Sequence, residues 1–321
     1  MRKFLLSMTL KGGTAGRLSV LSFHRIAENR DPFYESVTTK ELEQQFCTLK
    51  KYFNVLPINK AIQQLQEDTL PKRSVVITFD DGYANNYDLA LPLLKKHNLS
   101  ATFFICSGAI DGGIMWNDAI IESIQNHKGS QLNLSLDEGF SSRIAQKWPT
   151  ATITQKIQLA QILRAELKYL PLTKRATLIE ILKEKTSTEF SSNLMMASSQ
   201  IKALADSGME IGGHTLNHPI LNKSDDAEAE NEIFLDKEKL EKIIGKKINY
   251  FAYPNGKPKT DFSERDKVIL KNAGYKAAFS TADGVAVNKS DLFAIPRFTP
   301  WDSKVNRFIY QMFCNATNPS S

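Results

Sequence analysis

Apolar runs alternate with amphipathic segments along most of the chain, and this pattern predicts alternating strands and helices. RLSVLSF at 17–23 predicts a first strand. SVVITF at 74–79 and ATFFIC at 101–106 lack a regular polar alternation, as expected of strands that are buried on both faces. Shorter apolar runs predict five further strands. They are NVLP (54–57), GMEIGG (208–213), INYFAYP (248–254), YKAAFST (275–281) and DLFAIPRF (291–298).

Helical periodicity fills most of the intervals between these runs. The segment at 38–53 predicts a helix that opens with a capping box of Thr38 and Glu41. Its apolar face is expected to carry Leu42, Phe46, Leu49 and Phe53. Further helices are predicted at 59–67, 86–97, 225–244 and 264–273. Strand–helix alternation of this kind is typical of an α/β fold with a parallel sheet, either open or closed into a barrel.

One long stretch, from about 112 to 199, breaks the alternation and is mostly helical in pattern. We interpret it as a helical insertion over one face of the barrel. The prediction is therefore one domain over 18–321, preceded by a separate N-terminal segment at 1–17.

The N-terminal segment starts with basic residues and then has an apolar stretch from Phe4 to Leu10. That stretch is short for a signal peptide, and no clean cleavage site follows it. We expect an uncleaved segment that is a candidate for peripheral membrane contact through its apolar and basic side chains. A cytoplasmic location, or a peripheral one at the inner membrane, is favoured over export.

Composition restricts the remaining choices. Apolar residues make up 42% of 321 residues, which is enough for a sizeable core. The formal charge of +6 is modest for this length, so we expect no nucleic-acid partner. The three cysteines form no Cys-x-x-Cys pair, which argues against a disulfide framework or a cysteine zinc site.

Candidate chemistry appears where two buried runs end. VVITFDDGY ends a strand on Asp80 and Asp81, two like charges that repel unless something positive lies against them. EIGGHTLNHP places His214 and His218 four residues apart. Two histidines and one carboxylate form a metal site with open positions, as catalytic zinc needs. A divalent cation would also explain the aspartate pair, because one aspartate binds it and the other stays ionised beside it.

The motifs TFDDGY, HTLNH and FAYPNG together resemble those of the polysaccharide deacetylases, the NodB-homology group of metal-dependent carbohydrate esterases. The resemblance spans 18–298 apart from the insertion. It implies a distorted (β/α) barrel of about seven parallel strands. It also implies a hydrolase that removes N-acetyl or O-acetyl groups from a polysaccharide or oligosaccharide.

Carried over by motif, Asp81 would bind the metal together with His214 and His218, and Asp80 would be the general base. A metal lowers the pKa of water, which a nearby carboxylate can then deprotonate for attack on the acetyl carbonyl. A backbone N–H near Tyr83 would stabilise the oxyanion. Zinc is the expected ion, with cobalt, nickel and manganese as alternatives, because site affinity follows availability as much as ligand type.

Two departures from the family pattern concern the arginine that orients the base and the histidine that is the general acid. Many members have an arginine in the third motif, where this chain has Ala252. Arg297 at the end of the last predicted strand is the candidate replacement. Many members also have a C-terminal Leu-x-His, whose histidine is the general acid, but no histidine follows His218. His24, after the first strand, is the candidate acid, as in exopolysaccharide deacetylases with a permuted motif.

Aromatic and amide side chains beside the motifs are candidates for binding the sugar. Trp116 could stack on a ring, with core packing as the alternative, and its neighbours Asn117 and Asp118 could bond hydroxyl groups. Tyr83, Tyr253 and Asn255 are further candidates for lining the groove. The expected partner is an N-acetylated glycan, and no obligate protein partner is evident.

Three other classes of protein share parts of this pattern. A haloacid-dehalogenase phosphatase needs Asp-x-Asp and not adjacent aspartates. A non-haem iron oxygenase shares the two histidines and one carboxylate but leaves the aspartate pair unexplained. A non-catalytic carbohydrate-binding descendant of the fold is the main rival, because the motif arginine and the C-terminal histidine are missing.

Overall fold

The structure, a computed structural model, describes residues 16–135, 139–300, 302 and 304–318. The N-terminal segment therefore lies outside the described residues except for Gly16 and Arg17, and its predicted membrane contact stays a prediction. Among the helices in the described ranges, none combines the length and the apolar character that crossing a bilayer requires.

Twelve strands and ten helices occur in these residues. The strands are β1 (Arg17–Phe23), β2 (Arg25–Ala27), β3 (Ser36–Thr38), β4 (Asn54–Val55), β5 (Ser74–Phe79), β6 (Thr102–Ile105), β7 (Gln131–Asn133), β8 (Lys147–Pro149), β9 (Glu210–Gly213), β10 (Tyr250–Ala252), β11 (Ala277–Phe279) and β12 (Ala286–Val287). The helices are α1 (Thr39–Tyr52), α2 (Ile58–Gln66), α3 (Leu91–His97), α4 (Trp116–Asn126), α5 (Ile153–Leu167), α6 (Leu172–Thr186), α7 (Ser198–Asp206), α8 (Asp226–Ile244), α9 (Glu264–Asn272) and α10 (Val305–Ala316).

The central sheet runs in the order β11-β10-β9-β6-β5-β1-β12, and β4 also pairs with β5. All of its pairings are parallel except that of β1 with β12. Seven parallel strands result, which confirms the predicted distorted (β/α) barrel. Because parallel strands end at the same edge, side chains that follow different strands meet there.

The last predicted strand, at 291–298, is wrong as a continuous strand. Two isolated bridges remain, one joining Ile295 to Phe279 of β11 and one joining Phe298 to Leu21 of β1. Pro296 lies between them and has no backbone N–H, so it interrupts the hydrogen-bonded ladder. The segment between the two bridges links β11, at one end of the sheet, to β1, and Arg297 lies within it.

The helix boundaries follow the predicted signals. The capping box is formed, since Glu41 N–H donates to the Thr38 hydroxyl and the Glu41 carboxylate accepts from Thr38 N–H. Leu42, Phe46 and Leu49 are completely buried against the sheet. At 86–97 a π-helical turn over Asn86–Ala90 leads into α3, and Pro92 lies in the first turn of α3, where a missing N–H costs little.

The region from about 112 to 199 contains α4, α5 and α6, which pack around their own cluster of buried apolar side chains. It also contains the antiparallel pair β7–β8, which the sequence pattern did not predict. The division into an N-terminal segment, a barrel domain and an insertion stays a prediction. The insertion helices bear on the site because α4 and α6 lie beside the loop that follows β9.

Candidate metal and catalytic site

The functional candidates follow the carboxyl ends of three parallel strands of the central sheet, β1, β5 and β9, with β6 between β5 and β9. Asp80 and Asp81 come directly after β5, His24 directly after β1, and His214 directly after β9. Asp81 has a φ of 76°, which is unusual for a residue with a Cβ. This left-handed turn follows the end of β5, and both carboxylates of the pair lie buried at the carboxyl edge of the sheet.

Asp81, His214 and His218 form a three-ligand cluster. One ligand atom from each lies within 4.8 Å of the other two. The Nε2 atoms of His214 and His218 are 3.3 Å and 3.5 Å from Asp81 Oδ1. Two ligand atoms that share a tetrahedral zinc ion at about 2.0–2.2 Å are roughly 3.3–3.5 Å apart. The three side chains therefore fit a single divalent ion.

The hydrogen bonds of the histidines indicate which nitrogen faces the cluster. His214 Nδ1 lies 2.7 Å from the carbonyl oxygen of Ala252, and only a protonated nitrogen can donate to that oxygen. In the neutral ring, His214 Nε2 then has a lone pair that points at an Asp81 oxygen. Burial lowers the pKa of His218 to about 3, so that ring is neutral near pH 7. Burial also acts to lower the pKa of His214, but the hydrogen bond to Asp81 and the charge of Asp80 outweigh burial and raise it. A cation between these atoms removes the repulsion between their lone pairs.

Asp80 lies beside this cluster and is held by different partners. Arg297 Nη1 is 2.6 Å from Asp80 Oδ1, and both residues are almost fully buried. Ser22 Oγ donates to the other carboxylate oxygen at 3.4 Å. Burial alone would raise the pKa of Asp80, but the charges of Arg297, His214 and His24 outweigh burial and lower it. Asp80 is therefore ionised near neutral pH, as a general base must be.

His24 is the exposed member of the group. Its Nε2 is 3.7 Å from Asp80 Oδ2, and its side chain is 45% exposed. It lines a cavity of ≈ 600 Å³ together with Ser22, Arg25, Tyr34 and Thr299. A proton on His24 can therefore reach a ligand in this cavity, while Asp80 lies behind it.

The loop that carries both histidines is held by residues that the sequence analysis missed. Asp236 on α8 accepts from His214 N–H at 3.0 Å, and Glu232 on the same helix accepts from Asn217 N–H at 2.7 Å. From the insertion side, the buried Arg175 donates to the carbonyls of Asn217 at 3.0 Å and His218 at 3.4 Å.

A signal for Asp236 does exist in the sequence. It lies on the same stripe of α8 as the buried Ile233, Leu240 and Ile244, where a carboxylate is out of place unless it has partners. Burial raises the pKa of Asp236 to about 8. Arg175 has no comparable signal, because basic residues are common in the polar insertion helices.

The four candidates for sugar binding divide into two pairs. Tyr83 and Tyr253 are 3% and 1% exposed, and their hydroxyls donate to Asp118 and to the Phe293 carbonyl. Neither ring is an accessible surface for a sugar in this structure. Trp116 and Asn255 are partly exposed and line one cavity together with His218.

Asp118 was expected to be available for sugar hydroxyls, and the structure corrects this. It is completely buried and accepts from Tyr83 Oη at 2.9 Å. Arg25 Nη1 is 3.8 Å from its other oxygen, and the Arg25 guanidinium lies 3.6 Å from the centre of the Tyr34 ring. Burial raises the pKa of Asp118 to about 7. Asp118 therefore belongs to the support of the site, behind Tyr83.

Known proteins are similar to this chain in sequence and in fold. The family model for polysaccharide deacetylases matches residues 67–164 and 175–278, more than half of the chain. A poly-β-1,6-N-acetyl-D-glucosamine N-deacetylase from Staphylococcus epidermidis is 32% identical over 105 residues, which are 28% of this chain and 36% of that protein. The match thus spans little more than a third of the length of the curated relatives.

Two solved structures cover almost the whole chain. The deacetylase PplD of Streptococcus pyogenes, in complex with acetate, has a TM-score of 0.60 at 19% identity and covers 92% of this chain and 98% of its own. IcaB from Ammonifex degensii has a TM-score of 0.59 at 20% identity, with 95% and 98% covered. At these identities the two structures establish the shared barrel. Together with the match to the family model, they show that the chain belongs to the polysaccharide deacetylase family.

Proposed function

We propose that this protein is a metal-dependent hydrolase that removes acetyl groups from the amino sugars of a polysaccharide or oligosaccharide. The observation that carries the proposal is that a three-residue ion site and a buried Asp80–Arg297 ion pair lie side by side at the carboxyl edge of the sheet. Asp81, His214 and His218 fit an ion, and Asp80 lies next to them with its own cation, Arg297. An ion site alone would not require a second buried carboxylate.

A divalent ion held by these three residues would act as a Lewis acid, lowering the pKa of water and polarising the acetyl carbonyl. Zinc is favoured because two neutral imidazoles and one carboxylate are a common catalytic set for it. The His214–Ala252 hydrogen bond fixes the ring orientation and the protonated nitrogen of this ligand. Asp236 and Arg175 hold the backbone of the same loop from opposite sides.

Asp80 is the proposed general base. It takes a proton from the water whose oxygen attacks the acetyl carbonyl carbon, and Arg297 keeps it ionised and oriented. The arginine that many family members have in the third motif is replaced here by one from the segment that joins β11 to β1. The pairing distance of 2.6 Å supports this substitution.

His24 is the proposed general acid. When the carbon–nitrogen bond breaks, the sugar nitrogen must gain a proton to leave as an amine, and acetate is the other product. His24 lies at the mouth of the cavity with its Nε2 3.7 Å from Asp80. A proton taken up by Asp80 can thus pass to the neighbouring His24 between turnovers.

Acetate release tests the proposal against the non-catalytic alternative. The zinc-loaded protein is incubated with N-acetylglucosamine oligomers, and acetate is measured together with metal content. The Asp80→Asn variant should keep its zinc and lose turnover by at least roughly 100-fold, because the base is removed while the geometry survives. An active Asp80→Asn variant would show that the base is another residue. A wild-type protein that binds zinc and glycan without releasing acetate would support the non-catalytic alternative.

A further inference from the structure

A second cavity, of ≈ 340 Å³, opens beside the ligand His218 and shares no lining residue with the cavity that His24 lines. Its walls come from α4, α5 and the barrel loops that carry His218 and Asn255. The volume lies near the lower end of the range for small-molecule sites, about 300–1,000 Å³. The cavity therefore has room for one small ligand group next to the proposed reaction centre.

Four residues that line this cavity each have a buried polar atom without a hydrogen-bond partner in the described part of the chain. The atoms are Trp116 Nε1, Asn117 Oδ1, His218 Nδ1 and Asn255 Nδ2. Buried polar atoms in folded proteins are nearly always paired, so a group of unpaired ones among the residues that line one cavity points to a bound partner. Trp116 and Asn255 supply N–H donors and Asn117 supplies an acceptor, a mixture that matches a hydroxyl-rich ligand.

The same cavity is positively charged. Arg164, in the last turn of α5, and Lys168, the C-cap residue of that helix, both line it. Burial lowers the pKa of Lys168, with Lys257 and Arg164 adding to this effect and Asp261 opposing it. Asp261 is buried and one of its oxygens already accepts from Lys257 N–H at 2.9 Å. The residues that line the cavity thus include two cations, Arg164 and Lys168, and no carboxylate. The nearest buried carboxylates, Asp261 and Asp118, act on these cations from outside the lining.

We propose that this cavity binds an anionic group of the glycan, a carboxylate or a phosphate, on the sugar next to the one that loses its acetyl group. This inference deepens the proposed function and rests on it. Arg164 offers a planar fork of donors that matches either anion, and Lys168 adds a point charge. Trp116 and Asn255 donate to the same group or to hydroxyls beside it. Arg164 and Lys168 thereby select acidic glycans over neutral ones.

Calorimetry of glycan binding to the 321-residue protein, with and without zinc, tests this selectivity for acidic glycans. The probes are a neutral N-acetylglucosamine trimer, a hyaluronan tetrasaccharide that carries carboxylates, and the same trimer carrying a 6-phosphate. Wild-type protein should bind at least one charged probe roughly tenfold or more tighter than the neutral trimer, as expected for charge-assisted contacts. The preference should fall between roughly 50 and roughly 500 mM NaCl. If the tetrasaccharide is the probe that binds more tightly, the bound anion is a carboxylate; if the phosphorylated trimer is, the anion is a phosphate.

The double variant R164Q/K168Q should lose the preference for the charged probe and keep its affinity for the neutral trimer. The control pair K147Q/K174Q removes the same charge from two exposed positions and should keep the preference. Equal affinity of wild-type protein for all three probes would overturn the proposal, as would a preference that survives in R164Q/K168Q or disappears in the control pair. Absence of binding of both charged probes at millimolar concentration would also overturn it.

The acetate assay separates this inference from the proposed function. Release of acetate without any preference among the probes would leave the deacetylase function standing and reject the anion subsite. A charge-dependent preference in binding, with no acetate released from any probe, would reject the hydrolase and retain an anionic-glycan site.

Discussion

Replacing Arg297 with methionine should destabilise the fold strongly, because it leaves the Asp80 carboxylate buried without its cation. Arg297 and Asp80 are 3% and 2% exposed, and 2.6 Å separates Nη1 from Oδ1. Removing one partner of such a buried pair costs about 3–5 kcal/mol of unfolding free energy. Arg297 also donates to the Ser280 carbonyl and the Thr78 hydroxyl, which adds about 1 kcal/mol for each lost bond.

The part of this loss in unfolding free energy that comes from the unpaired Asp80 carboxylate has an upper limit. It cannot exceed the cost of protonating that carboxylate, because the protonated group carries no charge. Protonating an ordinary aspartate costs about 4 kcal/mol at pH 7 and about 1.5 kcal/mol at pH 5. In the wild-type fold the pKa of Asp80 is lowered, so its stabilising contribution is present above the ordinary pKa and is lost as the pH falls. In Arg297→Met, burial should raise that pKa, and stability then falls as the pH rises. The difference between the two proteins should therefore grow by up to about 2.7 kcal/mol from pH 5 to pH 7.

Urea unfolding followed by tryptophan fluorescence, at pH 5, 6 and 7 with a chelator present, measures this difference. The Arg30→Met variant is the matched control, because Arg30 lies the same 2.6 Å from Glu41 but is 67% exposed. It should lose under about 1 kcal/mol, with little pH dependence. The Asp80→Asn/Arg297→Met double variant should recover much of the loss because no charge stays unpaired. An Arg297→Met deficit at pH 7 no larger than that of Arg30→Met would refute the reasoning.

Three further predictions concern the acid, the loop and a helix cap. His24→Ala should lower the turnover of the amide substrate by roughly 10²–10⁴-fold. Hydrolysis of 4-nitrophenyl acetate should change little, because nitrophenolate leaves without a proton. Equal losses on both substrates would show that another residue is the general acid. Arg175→Met should weaken zinc binding, measured with a competing chelator, by about 10–100-fold, since it frees the carbonyls of the histidine loop. Its exposed neighbour Lys174→Met should not. Thr38→Ala should lower the unfolding free energy by about 1 kcal/mol in the same urea assay, and a stability equal to wild type would mean that solvent replaces the cap.

The barrel, and the edge of the sheet where the candidate site lies, could be predicted from the sequence because both depend on local patterns. A strand that is buried on both faces is visible as an unbroken apolar run, and the residue that follows it is fixed by the same pattern. Parallel strands then bring those following residues to one edge. Asp80, His24 and His214 are brought together in this way, although they are far apart in the chain.

The supporting contacts could not be predicted in the same way. Arg175 meets the histidine loop because α6 packs against the barrel in one particular register, and that register depends on side chains of several helices. The break at Pro296 and the antiparallel pair of β7 and β8 also depend on tertiary contacts. The burial of Tyr83 and Tyr253 could not be predicted either, because an aromatic beside a motif packs into the core as readily as it faces a groove. Their role in binding the sugar stays a prediction.

The ion pair that holds Asp80 joins residues 217 positions apart, and this separation has a consequence during biosynthesis. At roughly 5–20 residues per second, a ribosome needs roughly 10–40 s to add that much chain. Throughout this interval the nascent β5 ends on a carboxylate whose cation does not yet exist. The strand can be covered early only if Asp80 is protonated or stays hydrated, so the final closure of the barrel waits until Arg297 has left the ribosome.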